Sequence, residues 1–280
     1  MRSLLCLAPF GLALVASAAV AQTPAVPPLH KVVLIVLENA DYASALKQPF
    51  LSELTRSGAL ATHCFAERHP SQPNYIALVS GDTQGVASDR NVNLDARHLG
   101  DLLEEKGRSW KVYSEGYPGS CFQGATHGDY ARKHVPFVSF KNVHDDPARC
   151  ARIVEAAEFA HDVAAGQLPD FSLYVPDLRD DGHNTGVAYG SRWLGRTFGP
   201  LLADPGFAAG TTVIVTFDEG EDDGTNQIYT AFAGAGVKPG ATCETRTDHY
   251  SILRTLELGF GLGSLGKHDD AAVPVTGIWR

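Results

Sequence analysis

The chain has 280 residues and a formal net charge of −9 at pH 7, with 23 Lys and Arg against 32 Asp and Glu. It carries no basic run, which argues against a nucleic acid as its natural partner. The hydrophobic fraction of 44% and the lack of a low-complexity tract exclude a disordered chain.

The first residues predict an export signal. Arg2 precedes an almost wholly apolar stretch, and Ala19-Val20-Ala21 has the small-x-small pattern of a cleavage site. We expect residues 1–21 to be a signal peptide, residues 22–29 a linker, and residues 30–280 a single domain that is secreted or periplasmic. No later apolar run is long enough to span a bilayer, so no transmembrane anchor is expected. The oligomeric state is left open.

Apolar runs and their Gly, Pro and Ser boundaries predict alternating strands and helices. In chain order these are a strand at Lys31–Leu37, helices at 50–58, 71–79 and 94–107, a strand at 109–114, an irregular segment at 118–143, a helix at 147–165, a strand at Phe171–Val175, a helix at 190–202, strands at Thr211–Phe217 and 227–233, and a helix at 247–260. The strands are apolar throughout, as is typical of a parallel sheet covered on both faces. The sequence therefore predicts an α/β fold, a three-layer α/β/α sandwich with a mostly parallel central sheet.

Acidic or amide side chains follow three of these strands. The first strand runs into Glu38 and Asn39, the strand at Phe171–Val175 is followed by Asp177, Asp181 and His183, and the strand at Thr211–Phe217 runs into Asp218 and Glu219. Ligands of open α/β sheets bind beyond the carboxyl ends of the strands. Hard divalent cations prefer oxygen ligands. The pattern predicts one shared metal site, although each strand end alone also fits a solvated turn.

Ser71 stands where a helix is predicted to begin, with Pro73 in the first turn. A helix N-terminus attracts an anion such as phosphate through its backbone N–H groups and its dipole. A hydroxyl there becomes a nucleophile if a metal lowers its pKa. The alternative is that Ser71 only caps the helix.

Three histidines are candidates for the same site. His183 lies in a polar turn after a strand, and His249 lies at a helix start beside Asp248. His134 lies in the irregular segment, which is placed to cover the site. Isolated histidines are more often structural, so these candidates depend on the residues around them.

Four cysteines follow the predicted signal peptide, and an exported chain meets an oxidising compartment. Cys121 and Cys150 bracket much of the irregular segment, so we expect a disulfide between them. Cys64 and Cys243 are left unassigned, because four thiols allow three pairings.

Five motifs carry a resemblance to a known family. In chain order they are VVLIVLEN, HPSQPNYIALVSGD, PDLRDDGHNT, VIVTFDEG and DHYSILRTLE. Together they resemble the phosphoesterase family of secreted acid phosphatases and bacterial phospholipases C, in the alkaline phosphatase-like superfamily. SWKVYSEGYPGSCF and YARKHVPFVSF are further matches, and the resemblance spans about residues 30–262.

The resemblance implies a role for each matching position. Ser71 matches a nucleophile that is transiently phosphorylated, and the metal ligands would be Glu38, Asn39, Ser71, Asp218 and Glu219, with Asp177 added from the looser turn. His183 and His249 match histidines around the phosphate, which serve a second metal or protonate the leaving group. Asn74 and His134 are the expected substrate-binding residues. The divalent metal is not identified among Ca, Mg, Mn, Zn and Fe.

The sequence thus predicts an exported, metal-dependent phosphomonoesterase of the acid phosphatase type, acting on a small phosphorylated substrate such as a phosphoinositide or another phosphate ester. The alternatives are a phospholipase C-like phosphodiesterase and a non-catalytic secreted metal-binding module. A sulfatase is disfavoured, because the Arg of the sulfatase motif is replaced by Tyr75 in Ser71-x-Pro73-x-Tyr75.

Overall fold

The computed structural model describes residues 26–221 and 224–280. The predicted signal peptide and cleavage site lie outside the described residues. No helix in these two ranges is long and apolar enough to cross a membrane.

The strands are short and mostly buried. In chain order they are β1 (Lys31–Leu37), β2 (Ala59–Phe65), β3 (Trp110–Ser114), β4 (Thr126–His127), β5 (Tyr130–Ala131), β6 (Ile153–Glu155), β7 (Phe171–Val175), β8 (Thr211–Phe217), β9 (Gln227–Gly234), β10 (Ala241–Cys243) and β11 (Thr247–Asp248).

The helices lie between and after the strands. They are α1 (Tyr42–Leu46), α2 (Pro49–Ser57), α3 (Ser71–Ser80), α4 (Leu99–Glu105), α5 (Lys141–His144), α6 (Pro147–Cys150), α7 (Ala157–Ala164), α8 (Val187–Ala203), α9 (Pro205–Gly210), α10 (His249–Phe260) and α11 (His268–Ala271), with 3₁₀ turns at Arg132–His134 and Pro136–Ser139.

One nine-stranded sheet organises the described residues, in the order β10-β2-β9-β8-β1-β7-β3-β6 with β11 also beside β2. Its strand pairs are parallel except those of β9, which runs antiparallel to both β2 and β8. β1, β7 and β8 carry no charged side chain except Lys31 and are buried along nearly their whole length. Burial on both faces explains why apolar residues do not alternate with charged ones along these strands.

The helices form two layers. On one side α10 contacts α3, α4 and α11, while on the other α8 contacts α1, α2 and α9. The predicted α/β/α sandwich with a mostly parallel sheet is therefore confirmed.

The prediction of one helix at 147–165 is wrong. This stretch forms α6, the strand β6 and α7, and β6 pairs in parallel with β3 at the edge of the sheet. β6 contains the β-branched residues Ile153 and Val154, which favour a strand. The predicted helices at 94–107 and 247–260 begin later, at Leu99 and His249. β2 was not predicted from the sequence.

The predicted disulfide between Cys121 and Cys150 is present, with a Cα–Cα distance of 5.6 Å. Cys64 and Cys243 are free and buried.

Candidate active site

The carboxyl ends of three adjacent strands meet at one edge of the sheet. Leu37 at the end of β1 pairs with Phe217 at the end of β8. The backbone N–H of Asp218 donates to the Leu37 carbonyl at 3.0 Å, and the N–H of Glu38 donates to the Asp181 carbonyl at 3.0 Å. These bonds fix the acidic residues after β1, β7 and β8 beside one another.

Ser71 is the first residue of α3 and is only 2% exposed. The N-cap position belongs to Pro70, so Ser71 does not have the capping role that is the alternative to a nucleophile. Its Oγ lies 3.1 Å from Glu38 Oε2 and 3.2 Å from Glu219 Oε1, and its single proton can be donated to either carboxylate. Lys133 Nζ donates to the same Oγ at 3.3 Å.

Glu38 is fully buried among hydrogen-bond donors. The Tyr75 hydroxyl, one turn along α3 from Ser71, donates to Glu38 Oε1 at 2.6 Å. Nε2 of His134 lies 3.1 Å from the same oxygen. Glu38 therefore joins the serine helix to the 3₁₀ turn that carries His134.

Asn39, Asp218 and Glu219 form the other side of the cluster. Asn39 has a left-handed backbone with φ of 35°, and its N–H donates to Asp218 Oδ1 at 3.2 Å. Its side-chain amide donates to Glu219 Oε1 at 3.3 Å. Within the described residues, Asn39 Oδ1 and Asp218 Oδ2 are buried and accept no hydrogen bond.

His134 lies between two buried carboxylates. Its Nδ1 is 3.3 Å from Asp181 Oδ2, and its ring stacks on Tyr75 with centroids 5.0 Å apart. One ligand atom each of Glu38, His134 and Asp181 lie within 4.8 Å of one another. Burial lowers the pKa of His134 well below its usual value, helped by Lys133 and His183. The imidazole is thus neutral and able to act as a ligand.

The pKa values of the clustered carboxyls are raised. Burial, and next the neighbouring Asp181, raises the pKa of Glu38 to about 8. Burial is also the main cause for Asp181, whose pKa rises to about 8, and for Asp218, whose pKa lies well above its usual range. The pKa of Glu219 rises for the same reason. Four carboxyls held together away from water need either protons or a cation.

A divalent metal fits this donor set. Glu38, Asn39, Asp218 and Glu219 offer side-chain oxygens in the cluster around the Ser71 hydroxyl, and Asn39 Oδ1 and Asp218 Oδ2 have no hydrogen-bond partner among the described residues. Oxygen ligands suit Ca, Mg or Mn, and the neutral His134 beside Asp181 also suits Zn or Fe.

His183 and His249 lie on different sides of the cluster. His183 is exposed, its N–H donates to Asp181 Oδ1 at 2.7 Å, and its ring centroid lies 6.3 Å from that of His134. His249 is buried, and its Nε2 lies 3.1 Å from the carbonyl of Phe217, the residue before Asp218. Burial lowers the pKa of His249. Of these two histidines, His183 therefore lies on the solvent-exposed, open side of the cluster.

Asp177 lies in a second acidic cluster, with Glu115 and Asp180. Its carboxylate accepts the N–H groups of Arg179 and Asp180, both at 2.9 Å. The turn after β7 thus places Asp181 beside Glu38 and His134 and places Asp177 in the second cluster, so the contacts favour Asp181 over Asp177 as a neighbour of the metal.

Asn74 is buried at the start of α3, but its amide is occupied by the backbone. Its Oδ1 accepts the N–H groups of Glu67 at 2.9 Å and Arg68 at 3.0 Å, and its Nδ2 donates to the Arg68 carbonyl at 2.8 Å. These bonds shape the turn before Ser71. They leave no free group for the substrate-binding role that the sequence predicted.

Three polar contacts of the site involve residues that were not predicted from the sequence. Lys133 contacts Ser71, His69 Nδ1 lies 2.6 Å from Glu219 Oε2, and Tyr75 contacts Glu38. All three lie inside the motifs YARKHVPFVSF and HPSQPNYIALVSGD, beside residues that the analysis did select. Their closeness in the sequence to Ser71 and His134 was the signal that could have identified them.

Comparison with known proteins agrees with this fold and motif set. The model of the Phosphoesterase family matches residues 41–263, and the chain belongs to this family. A probable acid phosphatase of Kluyveromyces lactis is 36% identical over 253 residues, which cover 85% of this chain and 60% of that protein. The chain therefore spans less than two thirds of that relative's length.

Two further comparisons bear on size and fold. A phosphatidylinositol-3-phosphatase of Mycobacterium tuberculosis is 36% identical over 260 residues, covering 91% of this chain and 84% of that protein. A crystal structure of an alkaline phosphatase superfamily protein from Vibrio parahaemolyticus superposes with a TM-score of 0.63 at 15% identity, covering 88% of this chain and 71% of that one. The structural likeness establishes the alkaline phosphatase-like fold.

Proposed function

We propose that the protein is an exported, metal-dependent phosphomonoesterase in which Ser71 is the nucleophile. The observation that carries this proposal is the position of the Ser71 hydroxyl. It is buried at the N-terminus of a ten-residue helix, in contact with two carboxylates and one lysine ammonium group. A hydroxyl with only a structural role has no need of so many charged neighbours.

The residues that would hold the metal are Glu38, Asn39, Ser71, Asp218 and Glu219, with Asp181 and His134 on the far side of Glu38. A bound divalent cation favours the ionised form of a serine and withdraws charge from a phosphoryl group. It would also balance the charge of the four carboxylates, which would otherwise repel an anionic substrate.

The protein's own groups provide the remaining chemistry. The Ser71 proton passes to a carboxylate oxygen, from Glu38 or Glu219, with which Oγ is already in contact. Oγ then bonds to phosphorus as the bond to the leaving oxygen breaks, at the N-terminus of α3, where the helix dipole favours the anionic phosphate. His183, at the open side, supplies the proton that the leaving alcohol needs. A water molecule then bonds to phosphorus and gives a proton to His183, while the bond to Ser71 breaks, Oγ regains its proton from the carboxylate, and phosphate is released.

Small phosphate esters are the proposed substrates, and phosphoinositides are one group among them. The relatives named as acid phosphatases and as a phosphatidylinositol-3-phosphatase support a monoester. Phospholipase C-like diester hydrolysis is the competing activity, and a substrate panel of both ester classes separates the two. A non-catalytic metal-binding module would show no turnover on either.

Replacement of Ser71 tests the nucleophile. Ser71→Ala should fold normally and lose at least about 10³-fold in turnover, because no other group replaces the bond to phosphorus. Wild-type protein quenched in acid should carry the substrate's phosphate on Ser71. The matched control is Ser80→Ala at the other end of α3, where Oγ donates only to the Ile76 and Asp82 carbonyls. A folded Ser71→Ala protein with near wild-type turnover would overturn the mechanism.

A further inference from the structure

Lys133 brings a positive charge to Ser71 and is not among the expected catalytic, substrate-binding or metal-binding residues. It belongs to the 3₁₀ turn Arg132–His134. Its Nζ lies 3.3 Å from Ser71 Oγ and 2.9 Å from Asp89 Oδ2, and its side chain is 17% exposed. The ammonium group is therefore held at the rim of the site and directed at the nucleophile.

Asp89 holds this lysine against the serine helix. While Oδ2 contacts Lys133, Oδ1 accepts the backbone N–H of Gln72 at 3.0 Å. Gln72 follows Ser71 in the first turn of α3. One carboxylate thus ties the lysine to the helix that carries the nucleophile, which fixes the distance between Nζ and Oγ.

The charges around Ser71 give Lys133 a specific use. Its Oγ contacts the carboxylates of Glu38 and Glu219, and Asp218 lies in the same buried cluster. Among the Lys and Arg side chains that the structure describes, Lys133 is the one with a hydrogen bond to Ser71. A phosphate group that reaches Oγ therefore meets this ammonium next to the bond that will form.

Monoesters and diesters differ in the charge that they bring to this position. A phosphomonoester carries close to two negative charges at pH 7, since its second pKa is about 6. A diester has an uncharged ester group in place of one anionic oxygen and carries a single charge. A lysine ammonium is a compact point charge with three donors, suited to an anionic phosphate oxygen.

We propose that Lys133, positioned by Asp89, selects phosphomonoesters over phosphodiesters by pairing with the additional anionic oxygen of the monoester. This inference rests on the proposed phosphatase function and assigns its selectivity to a residue. It predicts that loss of the Lys133 charge removes monoester hydrolysis far more than diester hydrolysis.

The test compares p-nitrophenyl phosphate with bis(p-nitrophenyl) phosphate in wild type, Lys133→Gln and Lys133→Arg. Lys133→Gln should lower kcat/KM for the monoester about 10²-fold, as loss of one donor to a developing charge does. The diester value should fall less than about tenfold, because its phosphate lacks the extra charge.

Lys133→Arg keeps the charge and should recover part of the monoester preference. The control Lys141→Gln, on the exposed side of α5, should leave both rates unchanged. An equal fall for both esters in Lys133→Gln would overturn the inference.

The positioning role of Asp89 has its own test. Asp89→Asn should lower the ratio of monoester to diester rates, but it should have no further effect in the Lys133→Gln background, because Asp89 acts through the lysine. Independent, additive losses would refute that role. A higher ratio in Asp89→Asn would refute it too, since it would mean that Asp89 competes with substrate for Lys133.

Binding of inorganic phosphate separates this inference from the proposed function. If wild type hydrolyses neither ester with any of Ca, Mg, Mn, Zn or Fe, the proposed function fails. Calorimetry with inorganic phosphate still decides the role of Lys133. At least tenfold weaker binding by Lys133→Gln than by wild type supports the anion contact, and equal binding rejects it.

Discussion

Glu257 is a fully buried carboxyl on α10, outside the candidate site. Arg254 Nη1 donates to its Oε2 at 3.1 Å, while its Oε1 has no hydrogen-bond partner among the described residues. Burial, and next the charge of Asp269, raises the pKa of Glu257 to about 8 from 4.5. The folded protein therefore holds a proton at Glu257 that the unfolded chain releases near pH 4.5.

This shift predicts a pH dependence of stability. The folded-state pKa is above the unfolded value, so the contribution of Glu257 is fully present below about pH 4.5 and is lost as pH rises towards 8. Glu257→Gln cannot ionise, so its free energy of unfolding should fall less than that of wild type between pH 5 and pH 8. Denaturant titrations at both pH values measure this. The exposed Glu244→Gln serves as control, and parallel pH profiles for Glu257→Gln and wild type would contradict the assignment.

The positions of single residues show how much of the candidate site could be predicted from the sequence. The residues directly after β1 and β8 lie where expected, because a parallel sheet brings the carboxyl ends of its strands to one edge. The turn after β7 was not predictable in the same detail. Its backbone places Asp181 and Asp177 in different clusters, and the geometry of the turn determines which residue lies in which cluster. The bonds of Asn74 to the backbone of the preceding turn also leave no trace in the sequence.

At the scale of elements, the irregular segment between β3 and α6 is held by the disulfide. Cys121 and Cys150 are separated by 29 positions, and between them lie β4, β5, α5 and the 3₁₀ turn with Lys133 and His134. The link therefore closes the loop that supplies two contacts to the site.

Loss of this disulfide should weaken both stability and activity. On the chain-entropy model, closing a loop of this size contributes roughly 3–4 kcal/mol to the free energy of unfolding. Cys121→Ser/Cys150→Ser should lose about that much, and its turnover should fall because Lys133 and His134 are held less firmly. Denaturant unfolding and a phosphate-release assay measure both effects. A reductant should reproduce them in wild type and do nothing further to the double variant; an undiminished free energy of unfolding in that variant would refute the proposed role.

The elements that the sequence missed have a common physical reason. β2 carries the polar residues Thr62 and His63, and β6 has only three residues, so neither forms the long apolar run that marked β1 and β8. Both lie away from the centre of the sheet, β6 at its edge and β2 between β9 and β10. Long central strands can be predicted from their apolar composition, whereas short outer strands depend on their neighbours for their structure.

At the scale of the whole molecule, the candidate site joins segments that are far apart in the chain. Glu38 follows β1, Ser71 begins α3, His134 lies after β5, and Asp218 follows β8. The native fold holds the carboxylates of this group together away from water, and an unfolded chain separates them. A cation that binds the group therefore binds the folded protein selectively and stabilises all of these segments together.

Metal binding should therefore raise the melting temperature of the protein. A divalent cation at about 100 times its Kd adds about 2.7 kcal/mol to the free energy of unfolding. For a chain of this size that corresponds to an increase of roughly 5–11 °C, measured against protein treated with a chelator. The same chelator should abolish turnover, and re-addition of the cation should restore it.

Asp218→Asn makes this prediction specific to the candidate site. The substitution removes one of the crowded carboxylates, so the metal-free variant should melt at least as high as metal-free wild type, because repulsion is reduced. It should nevertheless gain less from the cation, because a ligand charge is lost. Substitution of a metal ligand should therefore maintain or raise the melting temperature of the metal-free protein and lower that of the metal-bound protein. Loss of a residue that only supports the fold lowers both melting temperatures. Asp95→Asn, at a carboxylate that is 90% exposed, should follow wild type in both states. If wild type melts at the same temperature with chelator and with each of Ca, Mg, Mn, Zn and Fe, the cluster is not a metal site.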